Sequence, residues 1–389
     1  SFIMKDILII SNYYPPEIGA AANRICHLAE GLNSLNYNVS VVAPLPNYPR
    51  GEIFNNYKGK FILKLENKGI EIYRLWLLPS NSKSKIKRII AMVSFSFSLF
   101  WFFLFHKIPK TVIVQSPPLL IAFTSILFLR SKKRTLVLNI SDLWPLAGLK
   151  LGALKKNFGF GVLEKIERFN YRNATLIMGQ SNEILSHVAS INPKAKTFLY
   201  RNYPDFNFGA LQQHTSSERI KLVYAGLLGV AQGVLELCKR LDCSKIELHL
   251  YGAGAELDSI KSFLENNKTL PITFHGEFTR EQLHNEIINF DIAIIPLRNR
   301  IYGSVPSKIF EYAKLGLPVL YFGGGEGEEI IFANKLGWIA PAGDYLALNQ
   351  LIDSLTFQEI NTVRQSIKST ADKHFDFSTQ LQRLNDFLT

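Results

Sequence analysis

Residues 305–322 read VPSKIFEYAKLGLPVLYF, a helix closed by a Gly-x-Pro turn and followed by a buried strand. Glycine accepts the turn and proline cannot continue the helix. Glu311 sits one turn into that helix, among Ile309, Phe310 and Tyr312. A carboxylate in apolar company is costly unless something pairs with it.

The same alternation runs outward in both directions. DILII (6–10), NVSVVA (38–43), IEIYRL (70–75), TVIVQ (111–115), TLVLNI (135–140) and ATLIMG (174–179) read as strands in the first half. IKLVYAG (220–226), IELHLYG (246–252), ITFHG (272–276), DIAIIP (291–296) and PVLYFG (318–323) read as strands in the second. Continuous apolar strands separated by helices imply parallel sheets buried on both faces. The chain is 389 residues long and 47% hydrophobic, more than one ordinary core needs. We therefore expect an α/β protein of two doubly wound domains, at 4–205 and 206–374. A C-terminal helix at about 375–389 is expected to pack back on the first. The polar stretch FGALQQHTSSER (208–219) reads as the linker.

Three cysteines, Cys26, Cys238 and Cys243, with no C-x-x-C, suggest neither a disulfide framework nor a zinc site. A reducing cytosol fits that usage. No signal peptide is recognised, and Ser1-Phe2-Ile3 ahead of Met4 reads as a cloning remnant.

Charge is uneven. Residues 1–205 hold 27 Lys and Arg against 11 Asp and Glu, a net +16. Residues 206–389 hold 17 against 21, a net −4. No acid occurs between Glu71 and Asp142, while eleven Lys and Arg do. Such a field seeks an anionic partner, either nucleic acid or an anionic membrane. The membrane is favoured by IIAMVSFSFSLFWFFLF (89–105), which has seven aromatics and no charge. Lys83, Lys85, Lys87 and Arg88 precede it, and Lys107 and Lys110 follow. A helix of that length spans about 25 Å, short of a ~30 Å hydrocarbon core. A second run, LLIAFTSILFL (119–129), precedes Arg130, Lys132, Lys133 and Arg134. The readings are a monotopic surface segment or a pair of buried core helices, with a transmembrane span disfavoured because the run is short and both flanks are basic.

In doubly wound sheets, ligands bind beyond the carboxyl ends of the strands. There this chain places AGLLGVAQG (225–233), YGAGAEL (251–257) and GGGEGEE (323–329). Glycine loops ahead of helices expose backbone N–H groups that suit phosphate. No G-x-G-x-x-G follows the first strand, whose loop is SNYYPPEIGAAANR (11–24), so a dinucleotide oxidoreductase is disfavoured. No Walker sequence, H-E-x-x-H, G-x-S-x-G or strand-following D-x-D occurs, and the histidines show no metal-ligand spacing. Two readings remain for Glu311. It is either a first-turn acid favouring the helix dipole or a carboxylate that receives a ribose diol. In the second, Ser307 and Lys308 face a diphosphate.

These residues resemble glycosyltransferase family 4, which has the GT-B fold. PSKIFEYAKLGLPV (306–319) is similar to its nucleotide-binding helix, and YYPPEIGAAANRICHLAEGL (13–32) to its acceptor-side loop and helix. QSPPLL (115–120), SDLWP (141–145), RNYPDF (201–206) and AGLLGVAQGV (225–234) resemble the colanic-acid, O-antigen and capsule branch. The resemblance implies an interdomain cleft, a UDP-sugar donor held by the second domain and an acceptor held by the first. It also implies no metal or other cofactor, no nucleic acid, and retention of anomeric configuration. Donor contacts are expected at Gly19, Gly226, Gly229, Gln232, Tyr251, Gly252, Arg298, Ser307, Lys308, Glu311 and Glu329, with Arg300 a further candidate cation. Asn23, Arg24 and Ser116 are expected toward the acceptor. Lys85, Arg88, Phe97, Trp101 and Phe105 are expected toward an anionic inner-membrane surface.

The chain departs from the family at several places. Of two family glutamates eight apart, Glu311 matches the second, while Gly303 stands at the first. Leu227 and Gln232 stand where many members carry Arg and Lys. Gln115 and Ser116 stand where many carry His.

The expected chemistry passes through an oxocarbenium-like transition state. Helix N-termini at Gly229 and Ser307, with Lys308, would stabilise the departing UDP. Asp142 is either an acceptor-orienting group or base, or a cap for the turn before Trp144-Pro145. The expected reaction glycosylates a polyprenyl-diphosphate-linked saccharide at the cytoplasmic face of a bacterial inner membrane. The donor sugar is expected to be an N-acetylated hexose or 6-deoxyhexose. A non-hydrolysing UDP-sugar epimerase and a non-catalytic membrane-bound scaffold are the alternatives.

Overall fold

The structure, a computed structural model, describes residues 5–80, 84–206 and 218–389. Most of the expected linker, and Lys83, lie outside the described residues. The chain divides into two compact units. The first takes in the chain up to Asn202, with Tyr302–Ser304 and Ser378–Thr389. The second takes in Tyr203–Ile301 and Val305–Phe377.

The first unit begins β1 (Lys5–Ile10), α1 (Ala20–Ser34), β2 (Tyr37–Pro44), β3 (Ile62–Asn67) and β4 (Ile70–Leu75). It continues α2 (Lys85–Phe105), β5 (Thr111–Ser116), α3 (Leu119–Leu129) and β6 (Thr135–Ile140). It ends α4 (Leu146–Lys150), α5 (Phe158–Asn173), β7 (Leu176–Gly179), α6 (Asn182–Ile191) and β8 (Lys196–Leu199). Its sheet order is β3-β4-β2-β1-β5-β6-β7-β8. Only the β3–β4 hairpin is antiparallel among these pairs. Its sequence ILKLEN alternates instead of running apolar, as suits an exposed edge.

The second unit runs β9 (Ile220–Ala225), α7 (Val234–Arg240), β10 (Ile246–Tyr251), α8 (Leu257–Asn266) and β11 (Ile272–Gly276). Next come α9 (Arg280–Ile287), β12 (Ile292–Pro296), α10 (Lys308–Lys314), β13 (Val319–Phe322) and α11 (Glu326–Ala333). Last are β14 (Gly337–Ile339), α12 (Tyr345–Ser354) and α13 (Phe357–His374), after which the chain returns to the first unit as α14 (Phe377–Leu388). The second unit's six strands are parallel in the order β11-β10-β9-β12-β13-β14. Successive residues of β9 serve opposite cores. Leu222 and Tyr224 join one with Leu248 and Leu348, while Val223 and Ala225 join the other with Ile309 and Val319. Burial on both faces is what the apolar runs require.

Strand order reverses between β1 and β5 in the first unit and between β9 and β12 in the second. Crevices open at such switch points. From Ser378 onward the chain belongs to the first unit. Gln380 accepts from the Arg201 N–H and donates to the Arg201 carbonyl, both at 2.9 Å, and the Tyr37 hydroxyl donates to Asn385 at 2.6 Å.

The apolar runs separate by packing. α3 is a core helix, with Leu119, Ile121, Ala122, Ile126 and Leu129 buried, which corrects its reading as a surface segment. α2 is split lengthwise. Phe95, Leu99 and Phe102 enter the core, while Ile86, Ile90, Val93, Phe97, Trp101, Leu104 and Phe105 face outward.

Candidate functional site

At the carboxyl end of β9, two glycine loops press together. The Gly226 N–H donates to the Tyr251 carbonyl at 3.0 Å. Gly252 has φ +135, and a Cβ there would lie 1.8 Å from the Gly226 carbonyl oxygen, so no side chain fits. Tyr251 is buried and stacks on His275 at 4.6 Å.

α10 brings Glu311 and Lys308 to this edge. Lys308 Cε would lie 3.8 Å from a Cβ on Gly226, and the Tyr312 hydroxyl donates to the Ala225 carbonyl at 3.2 Å. Glu311 has a side chain 13% exposed. His284 Nε2 of α9 lies 2.7 Å from Glu311 Oε1, and Lys308 Nζ lies 3.7 Å from Oε2. Burial alone would raise the Glu311 carboxyl, but Lys308, His284 and Arg280 outweigh it and bring it down to about 2. Glu311 is therefore a buried anion held in place by cations and a histidine. His284 was not singled out in the sequence, because its partner is 27 residues away and no local pattern joins them.

Other expected donor residues sit elsewhere in this unit. Gln232 and Arg298 line a separate cavity of about 310 Å³ with Gly233, Arg240, Phe322 and Tyr345. Gln232 Oε1 is buried without a hydrogen-bond partner. Residues 226–233 thus run from the Lys308 side to this cavity. Gly229 does not begin a helix, because a turn intervenes before α7, which starts at Val234 with Gly233 at φ +66 as its cap. Ser307 stands at the N-cap of α10 with helical backbone angles and no side-chain cap bond. Glu329 is exposed on α11, whereas Glu326, three residues earlier, is the buried acid. Arg300 Nε would lie 3.4 Å from a Cβ on Gly325.

The first unit assembles a polar cluster at its own switch point. Arg24 of α1 donates to Gln115 Oε1 at 3.4 Å. Asn139 donates to the same oxygen at 2.9 Å, and Gln115 Nε2 donates to Ser141 Oγ at 3.0 Å. Asp142 follows. Burial raises its carboxyl, opposed by the Arg24 charge and a Ser304 hydrogen bond. Burial likewise lowers Arg24 to about 10, with Asp142 opposing. The Asp142 carboxylate therefore faces a cation and a hydroxyl. The turn before Pro145 is closed by backbone, with Trp144 N–H on the Asp142 carbonyl at 3.1 Å. Ser116 is buried, Asn23 is exposed, and Gly19 precedes α1 without a side-chain cap bond.

Gly303 closes this cluster and shows why no glutamate stands there. Its φ is +83, and a Cβ would lie 2.8 Å from Leu143 Cγ and 2.9 Å from Leu143 N. Its N–H donates to Glu183 Oε2 at 2.9 Å, and Ser181 Oγ donates to its carbonyl at 2.8 Å. Among the described residues, no three His, Cys, Asp or Glu side chains gather as metal ligands.

The family model described as glycosyl transferase 4-like domain matches residues 19–200, and glycosyl transferases group 1 matches 219–356. A Pseudomonas aeruginosa protein named "Probable glycosyltransferase WbjE" is 22% identical over 274 residues, covering 64% of this chain and 66% of that protein. An Escherichia coli protein named "Putative colanic acid biosynthesis glycosyl transferase WcaI" is 23% identical over 270 residues, with the same coverages. The chain thus matches just under two thirds of each relative's length. The solved structure of Anabaena HepE in complex with UDP and glucose superimposes with a TM-score of 0.67 at 15% identity, covering 99% of both chains.

Proposed function

The chain belongs to the 4-like, group 1 glycosyltransferases and has the GT-B fold, and on that premise we propose that it transfers a sugar from a UDP-sugar to a lipid-linked saccharide in bacterial polysaccharide synthesis. The observation that carries the donor half is the Glu311–Lys308 pair beside the Gly226 and Gly252 loops at the ends of β9 and β10. A carboxylate ionised at neutral pH at a switch point accepts a vicinal diol, and a neighbouring ammonium meets a diphosphate. HepE holds UDP and glucose on the same fold, which supports this class of donor.

In this reading Glu311 receives the ribose and Lys308 stabilises the charge that grows on the departing UDP. Arg298 and Gln232 line the space for the rest of the donor. Asp142 orients the acceptor hydroxyl, with the Arg24 charge opposing the burial of its carboxylate. Configuration is retained, the leaving phosphate accepting the proton on the same face. No metal takes part. The acceptor is presented at the inner face of the plasma membrane, and the outward stripe of α2 with its basic neighbours meets the lipid surface.

A panel of labelled UDP-sugars, led by N-acetylated hexoses and 6-deoxyhexoses, tests this with and without lipid-linked acceptor. Expected is UDP release and labelled lipid only when both substrates are present, unaffected by excess EDTA. UDP release without acceptor, interconversion of free UDP-sugars, or loss of activity restored by magnesium or manganese would each contradict the reading.

A further inference from the structure

Where α2 passes the β3–β4 hairpin, Phe61, Ile62 and Trp76 face Phe97, Trp101 and Phe105 across an open groove of about 540 Å³. Phe61 is 76% exposed and Phe105 75%. Rings left so far out of the core mark an interaction surface. They are also ordered among themselves. Trp101 and Phe105 stack at 5.7 Å, and Phe61 and Trp76 lie 6.1 Å apart. Ser98 Oγ, a polar group in the wall, is already committed to the Trp76 carbonyl at 2.7 Å. The groove thus offers aromatic surface and little polarity.

Charge decides what it takes. Lys58 and Lys60 precede the hairpin wall in the chain, Lys107 and Lys110 follow the helical wall, and all four are exposed. No acid lies between Glu71 and Asp142, and the hairpin's own acids, Glu66 and Glu71, pair opposite each other at its turn end, away from Ile62 and Leu75. A second copy docking here would bring two basic rims together and be repelled. An amphiphile with an anionic head and one apolar chain satisfies both the rim and the groove. We propose that this groove holds the isoprenoid chain of the lipid-diphosphate acceptor, so that the chain lies along α2 against the hairpin. The proposal rests on the lipid-linked acceptor reading above. It adds a specific slot to what would otherwise be a general lipid-facing surface.

The probe is farnesyl phosphate in solution, below its micelle concentration and with no bilayer. Binding is followed by tryptophan fluorescence and calorimetry. The wild-type chain is expected to bind it at least tenfold more tightly than inorganic phosphate. Phe61→Ser combined with Phe105→Ser should weaken that binding tenfold or more, and Phe61→Ser alone serves as the milder variant. Ile86→Ser with Ile90→Ser, on the outward face of α2 away from the groove, should leave farnesyl phosphate affinity unchanged while lowering binding to phosphatidylglycerol vesicles. The proposal is overturned if wild-type protein does not bind farnesyl phosphate. It is equally overturned if the groove variants bind as well as wild type. A dimer on ultracentrifugation that the groove variants abolish would assign the groove to a second copy and also overturn it. Chain binding without sugar transfer to any lipid acceptor would instead leave the groove standing and remove the acceptor reading.

Discussion

Glu311 and Asp142 are carboxylates whose surroundings act in opposite directions. Lys308, His284 and Arg280 overcome burial to bring Glu311 down to about 2, while burial wins at Asp142 despite Arg24. Glu311→Gln keeps the shape and removes the charge. Hydrogen bonds to a charged group contribute about 1.5–3 kcal/mol, so UDP affinity should fall about tenfold or more by calorimetry. Unchanged affinity would leave Glu311 as a partner for its helix and His284 alone. The linkage follows from the direction. A carboxyl depressed from 4.5 to about 2 contributes stability above its unfolded pKa and loses it as pH falls through the folded one. The Gln variant should therefore lose part of the acid dependence of unfolding between about pH 4.5 and 2. For Asp142, a raised pKa places the acidic limb of kcat/KM above the usual aspartate range of ~3.9. Arg24→Met removes the opposing charge and should move that limb to higher pH, whereas Asp142→Asn should abolish it along with most activity. A limb that Arg24→Met leaves in place would exclude Asp142 as the titrating group. Glu311 and Lys308 were legible because one short helix carries both. His284 was not, because an ion pair between two helices leaves no local signature. Glu329 and Glu326 differ only in which side of one helical turn faces inward, which a glutamate-rich string does not specify.

At the scale of elements, the apolar strands were legible and the marginal ones were not. β8 and β14 have four and three residues, and β3 is an alternating edge, so none carries the continuous apolar run that marks a buried strand. The α2 and α3 runs look alike in composition but differ in packing. α3 sits under neighbouring helices, while one side of α2 stays uncovered. Tertiary contact, which no single run encodes, separates them. Gly303 tests the loop that closes the Asp142 cluster. Alanine there meets both a left-handed backbone and Leu143 below 3 Å. A strained residue of this kind costs about 1–3 kcal/mol before any clash. Gly303→Ala should therefore lower the melting temperature by several degrees in differential scanning calorimetry. Wild-type stability would mean that Leu143 yields easily and that the glycine is not dictated by packing.

For the whole molecule, the charge asymmetry and the outward stripe of α2 predict attachment to an anionic surface by two separable forces. A basic residue beside an anionic leaflet contributes about 1 kcal/mol and is screened within a Debye length of about 8 Å at physiological salt. Buried aromatic area contributes about 25 cal/mol per Å² and is not screened. Lys85, Lys87 and Arg88 are all exposed at the start of α2, and Phe97 and Trp101 are exposed along it. Replacing the three basic residues by Ser removes about 3 kcal/mol of attraction, roughly a hundredfold in partition at low salt. The loss should shrink as salt rises. Phe97→Ser with Trp101→Ser should weaken vesicle binding equally at every salt concentration, with the fold checked by circular dichroism. Both variants should retain transfer to a short water-soluble acceptor and lose transfer to the lipid-linked one. Sedimentation with phosphatidylglycerol vesicles across a salt series reads both terms. Equal binding to neutral and anionic vesicles, or a salt-independent loss in the basic variant, would remove the electrostatic term from the attachment. The excess positive charge of the first half would then need another anionic partner.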